Sequence, residues 1–124
     1  MKTSSPSSSP PSLFLGIDVG KLDLFCHLLS DDASVSDRFD NSSEGIAKLS
    51  AWLTNLGTPS EISACLEQTG HYAIPVAKAL SQQELHGVYL VNPRRIKAFG
   101  NQKLRRNKSD TADARLIAQF LKSE

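Results

Sequence analysis

From Leu13 the chain reads L-F-L-G-I-D-V-G, an apolar run of strand length closed by Gly20 and Lys21. Residues 22–30 (L-D-L-F-C-H-L-L-S) follow that turn, and residues 34–41 (S-V-S-D-R-F-D-N) follow Asp31 and Asp32. Three strand-length runs joined by tight turns predict an antiparallel meander. The period then changes. Ser42 or Ser43 can cap a helix with Glu44 in its first turn, and Ile46, Leu49, Leu53 and Leu56 recur at helical spacing until Gly57 and Pro59 stop it. Residues 61–67 (E-I-S-A-C-L-E) read as a fourth strand, 72–84 as a second helix and 86–91 (H-G-V-Y-L-V) as a fifth strand. A short helical stretch follows Asn92 and Pro93, then a basic loop, then a last helix from about Ser109 through Phe120. Alternating strands and helices in the second half imply parallel strands joined by crossover helices. The order βββαβαβα is that of the ribonuclease H-like superfold, an α/β fold with a mixed five-stranded sheet and flanking helices.

The first twelve residues contain six serines and three prolines, the composition of a disordered tail, so the expected folded domain is 13–124. At 124 residues the chain has room for one core. No apolar run approaches the roughly 20 residues of a membrane helix, and the N-terminus lacks the basic-then-apolar order of a secretory signal. A cytoplasmic location without membrane contact is the expectation. Cys26 and Cys65 lie in apolar runs and read as small buried hydrophobes. A zinc site built from them with His27 and His71 is disfavoured, since there is no C-x-x-C pair and Cys26 and His27 on a strand face opposite ways.

Charge is distributed unevenly. Residues 1–93 carry five basic and ten acidic side chains, whereas residues 94–124 carry nine and three. Seven cations, Arg94, Arg95, Lys97, Lys103, Arg105, Arg106 and Lys108, follow one another without an intervening acid. Such a block fits a polyanion, and its lysines and arginines would grip phosphates without reading sequence. Lys21 is a further candidate phosphate contact. Tyr72, Tyr89 and Trp52 are not interleaved with the block and read as packing residues.

Four acids stand out against this background. Asp18 lies within the first apolar strand with no polar neighbour, where an uncompensated charge is costly. Glu67 closes the apolar fourth strand, which would neighbour the first. Asp110 and Asp113 begin the last helix three residues apart, and Ile117, Phe120 and Leu121 continue that face, so both are expected to point inward. Converging carboxylates repel one another unless a cation compensates them. Magnesium suits an all-oxygen donor set, and two ions about 3.5–4 Å apart serve phosphodiester chemistry. The expectation is a magnesium-dependent phosphoryl-transfer centre with Asp18, Glu67, Asp110 and Asp113 as metal ligands and catalytic residues. Helix-capping and surface roles are the competing readings of these acids.

G-I-D-V-G-K at residues 16–21, E-Q-T-G-H-Y at 67–72, V-N-P-R-R-I-K-A-F at 91–99 and R-N-K-S-D-T-A-D-A at 106–114 occur in order. Together they resemble the N-terminal DEDD, RuvC-like domain of the insertion-sequence one-ten transposases, relatives of the Piv and MooV DNA invertases. The resemblance covers residues 14–121 and puts the family's D-E-D-D tetrad on Asp18, Glu67, Asp110 and Asp113. It implies DNA transposition and recombination, DNA and a structured guide RNA as partners, and a homo-oligomer in the full-length form. It also implies a C-terminal domain with a nucleophilic serine, for which this chain, ending at Glu124, has no counterpart. Strand transfer by this polypeptide alone is therefore not expected. Three alternatives share these features: a stand-alone Holliday-junction-resolvase-like nuclease, a non-catalytic nucleic-acid-binding remnant, and an actin-like ATPase. The last is disfavoured because G-I-D-V-G would belong to one of two halves needed to enclose a nucleotide.

Overall fold

The computed structural model describes residues 11–68, 71–102 and 110–124. Five strands form one mixed sheet: β1 (Leu13–Val19), β2 (Asp23–Leu29), β3 (Ser34–Asp40), β4 (Ile62–Glu67) and β5 (Gly87–Val91). Their spatial order is β3-β2-β1-β4-β5. The meander β1–β2–β3 is antiparallel, while β4 and β5 run parallel to β1. Helices α1 (Ser43–Leu56), α2 (Ile74–Ser81), α3 (Pro93–Gln102) and α4 (Asp110–Ser123) complete the domain. The mixed five-stranded α/β architecture read from the sequence is the one observed.

Strand alternation divides the sheet into two faces. Leu15, Ile17 and Val19 of β1, Leu24, Cys26 and Leu28 of β2, and Ile62, Ala64 and Leu66 of β4 bury one face. Leu49 and Leu53 of α1 and Val76 and Leu80 of α2 pack in the same cluster. On the opposite face Cys65 and Val91 meet Ile96 of α3 and Ile117 and Phe120 of α4. The helix α4 lies against β1 at unusually close range. A Cβ added to Gly16 would collide with the Ala114 carbonyl oxygen and the Ala118 amide nitrogen. Only a glycine in β1, opposite the small residues Ala114 and Ala118, lets the two backbones approach so far.

Local chemistry explains most element ends. Ser42 caps α1 by accepting a hydrogen bond from the Gly45 amide at 3.1 Å. Asn92 caps α3, its side-chain oxygen accepting from the Arg94 amide at 2.8 Å. The second helix is shorter than the apolar spacing predicts. Pro75 sits in its first turn, where its missing N–H costs nothing, and Glu84, with φ at 59°, lies in the left-handed region beyond its end. His71, Tyr72 and Ala73 are consequently turn residues rather than helix. Burial corrects the aromatic assignments in part. Trp52 does pack, edge-on against Phe39 with ring centroids 5.5 Å apart. Tyr72 and Tyr89, expected in the core, are 37% and 46% exposed. Tyr89 lies on the edge strand β5, and Tyr72 on the turn leading to α2, where no element covers it completely.

The Ser12 amide donates to the Glu61 carbonyl at 3.0 Å, tying the chain to the sheet just before β1. Residues 1–10 of the expected tail fall outside the described residues. No helix among the described residues is long and apolar enough to cross a membrane.

Candidate active site

Parallel pairing of β1 with β4 decides where the first two acids meet. The register runs to Ile17 opposite Leu66, so Asp18 and Glu67 are the next residues along two adjacent strands. Both are half-buried. By strand alternation Asp18 shares a face with Gly16, and Glu67 shares one with Cys65. Gly16 touches α4 and Cys65 packs with Ile117 and Phe120, so both acids occupy the face that α4 covers. Asp113 follows in the first turn of α4, immediately before Ala114.

The electrostatics report the same proximity. Burial raises the proton affinity of the Glu67 carboxyl above the ordinary glutamate value, and the negative charge of Asp113 raises it further. Three of the four expected residues therefore share one end of the sheet. Asp113 is exposed, while Ala114, Ile117 and Ala118 carry the buried face of α4. Its position in the first turn, ahead of the close crossing at Gly16, accounts for both its exposure and its influence on Glu67. Asp110 is the first residue of α4, and its side chain lies outside the described residues.

All four acids offer oxygen, the donor type that magnesium prefers, and the repulsion between Glu67 and Asp113 is what a bound cation would relieve. The donor set thus fits a divalent ion in its chemistry. Among the described residues, no three His, Cys, Asp or Glu side chains already stand close enough together to hold one. The cysteines offer no competing chemistry. Burial pushes the Cys65 thiol up to about 12 and Cys26 higher still, so both remain protonated.

The cations divide into three groups. Lys21 is exposed in the turn after β1, close in sequence to Asp18. Arg94, Arg95 and Lys97 are exposed on α3. Arg95 is partly engaged, donating to Glu124 at 3.0 Å with its guanidinium 5.2 Å from the centre of the Phe120 ring. Lys103, Arg105, Arg106 and Lys108 lie outside the described residues.

Two further residues shape this end of the sheet without having been singled out for it in the sequence. Gly16 sets how closely α4 approaches, and an isolated glycine inside an apolar strand was the available signal. Asn41 donates to the Gly20 carbonyl at 2.8 Å and to the Tyr72 carbonyl at 3.4 Å, joining the two turns beside Asp18 and Glu67. Nothing in the local sequence announces that role.

Comparison with known proteins places the fold. RuvC of T. thermophilus in complex with Holliday junction substrate is similar over 88% of this chain and 91% of its own, with a TM-score of 0.63 and 16% identity. A second Thermus thermophilus RuvC structure gives a TM-score of 0.58 at 17% identity over 87% and 91% of the two chains. A Bacteroides thetaiotaomicron protein with an actin-like ATPase fold gives 0.53 at 14% identity, over 70% of this chain and 35% of that one. At such identities these likenesses establish the fold, which is RuvC-like. No curated protein matches the chain. The family model for DEDD transposases of the IS110 type, described as "Transposase", matches residues 15–124. Matched by that model over most of its length and carrying its motifs in order, the chain belongs to the IS110 DEDD transposase family.

Proposed function

We propose that this domain performs metal-dependent phosphoryl transfer on DNA during transposition, with Asp18, Glu67, Asp110 and Asp113 as its acidic centre. The observation that carries the reading is the meeting of Asp18 and Glu67 at the ends of adjacent parallel strands, on the face reached by the first turn of α4. Asp18 and Glu67 stand on the rigid sheet, whereas Asp110 and Asp113 arrive on a helix seated against Gly16. Such a division lets the strands hold the site's position while the helix completes its charge. These four carboxylates would hold magnesium, one ion or a pair, which when bound supplies charge neutralisation and activation of an attacking oxygen. The raised proton affinity of Glu67 sets protons in competition with the metal for its carboxylate, so metal affinity should rise with pH through its titration.

Arg94, Arg95 and Lys97, with Lys21 and the cations at 103–108, would hold the DNA backbone. Full strand transfer is assigned to this domain acting with a C-terminal serine-bearing domain, in an oligomer directed by a structured guide RNA, as the family resemblance implies. A second reading, a nuclease acting on branched DNA by itself, draws support from the likeness to RuvC over 91% of that chain.

Calorimetry of magnesium binding, with and without a four-way DNA junction, tests the proposal. The wild-type chain should bind magnesium in the presence of DNA, and Asp18→Asn should not. Equal binding by both would refute the acidic centre. Nicking of the junction by the isolated chain would favour the nuclease reading.

A further inference from the structure

At the end of the sheet away from the acids, three strands present one row of residues. Phe14 of β1 stands opposite Ser63 of β4, and Ser63 stands opposite Gly87 of β5. By strand alternation this row shares the face of Gly16 and Cys65, which α4 covers. The row is recessed at its centre and at β5, because serine is small and glycine has no side chain. Tyr89, two residues beyond Gly87 on the same face, folds back over that recess: a Cβ added to Gly87 would meet the Tyr89 hydroxyl and ring. Phe120 and Leu121, near the end of α4, bound the space on the helix side and leave a cavity of about 460 Å³.

The lining combines three chemistries. Phe14, Tyr89 and Phe120 give aromatic walls, the buried Ser63 brings a hydroxyl to the floor, and Arg95 and Lys122 stand at the rim. The Arg95 guanidinium lies 5.2 Å from the centre of the Phe120 ring, so cation and ring form one continuous surface. Glu124 accepts from Arg95 at 3.0 Å, but both side chains are at least half exposed, and an ion pair so open to water is worth little. An anionic ligand can therefore take the place of Glu124. Aromatic walls beside a cationic rim match a flat aromatic group that carries an anion, and a nucleotide is that combination. The bases of a duplex hide their faces in the stack, which excludes paired ones.

We infer that the cavity between β5 and the end of α4 is a nucleotide-binding pocket separate from the acidic centre. Tyr89 and Phe120 supply apolar contact to the base, the Ser63 hydroxyl meets a polar atom on its edge, and Arg95 and Lys122 hold the phosphate. Phe14 lies four residues before Asp18 and Ser63 four before Glu67, which at the rise of a strand puts the pocket about 13 Å from the acids. The inference is independent of metal chemistry at those acids. A free nucleotide and an unpaired nucleotide within a strand present the same groups to this pocket.

Fluorescence of 2-aminopurine riboside monophosphate, titrated with the full chain, provides the test. Quenching should be saturable and reversed by adenosine monophosphate. Tyr89→Ala and Arg95→Ala, both at exposed positions, should each weaken binding about tenfold, and Glu124→Gln should tighten it by freeing Arg95. Leu90→Ala, on the opposite face of β5, is the control and should leave binding unchanged. Absence of saturable quenching by the wild-type chain overturns the pocket, as does equal binding by Tyr89→Ala. A nucleoside without phosphate that binds as tightly overturns the role of Arg95 and Lys122. A single-stranded oligonucleotide carrying the same base separates the two sources: tighter binding than the monophosphate, lost in Tyr89→Ala, assigns the pocket to a strand, and binding no tighter assigns it to the free nucleotide.

Discussion

Replacing Gly16 with alanine adds one methyl group at the point where β1 and α4 touch backbone to backbone. The new Cβ would collide with the Ala114 oxygen and the Ala118 nitrogen and lie 3.0 Å from the Ala118 Cα. No side-chain rotation relieves contacts made by backbone atoms, so α4 itself must move. Overpacking of a well-filled core costs about 1–3 kcal/mol, and the rigidity of this contact places Gly16→Ala near ~3 kcal/mol. Alanine also restricts the unfolded chain, which offsets about 0.4–1 kcal/mol. The net loss is about 2 kcal/mol. With a urea dependence of about 2 kcal/mol per molar for a domain of this size, the unfolding midpoint should fall by about 1 M. Trp52, the only tryptophan, sits on α1 beside Phe39 and reports the transition by its fluorescence. Gly20→Ala is the matched control, because its added Cβ would approach nothing nearer than the Asp23 carbonyl oxygen at 3.3 Å and the Asp23 amide nitrogen at 3.9 Å. A Gly16→Ala midpoint within about 0.2 M of wild type would show that α4 does not seat on β1 as described.

Other substitutions test individual groups. Glu67 has a raised proton affinity when folded, so the folded state binds more protons than the unfolded state above the ordinary glutamate range. Its charge therefore costs stability as pH rises through that raised value: Glu67→Gln should raise the metal-free urea midpoint at pH 7.5 and leave it unchanged near pH 4. His27 behaves oppositely. It is buried with Nδ1 2.5 Å from the Ser36 hydroxyl, and burial and the Arg115 charge lower its proton affinity. The unfolded state then takes up the proton first, so stability is lost as pH falls below the ordinary histidine value of about 6.5. His27→Phe should flatten the decline of the urea midpoint between pH 7 and pH 5, and an unaltered decline would assign it to other groups. Ser42→Ala removes the cap of α1 and should cost about 1 kcal/mol in urea unfolding, while Ser43→Ala should cost less than half of that.

Local signals carried much of the architecture. Strand alternation, helical spacing and the residues that stop each element depend on neighbours within a few positions, so they are written along the chain. The five strands and a serine cap at Ser42 or Ser43 were legible on that basis, and the adjacency of Asp18 and Glu67 followed from the strand order that the element order implies. The exposure of Asp113 was not legible, because the apolar spacing of α4 marks its buried stripe without showing where the helix crosses the sheet. Tyr72 was read as a packing residue because it is not interleaved with the basic block, and the helical pattern around it gave no sign of its exposure. Its apolar neighbours Ala73 and Ile74 continue a helical pattern, but Pro75 delays the helix and leaves the tyrosine on a turn.

What the sequence alone determined was the order and type of the elements, the acids at the ends of β1 and β4, and membership of the transposase family through motifs in series. Tertiary structure decided which face of the sheet holds the acids, how closely α4 approaches Gly16, and how Asp113 acts on Glu67. It also decided that Asn41 reaches Tyr72, 31 residues further along the chain. Such contacts arise when distant segments pack, and they depend on register and crossing geometry that no short window of sequence contains.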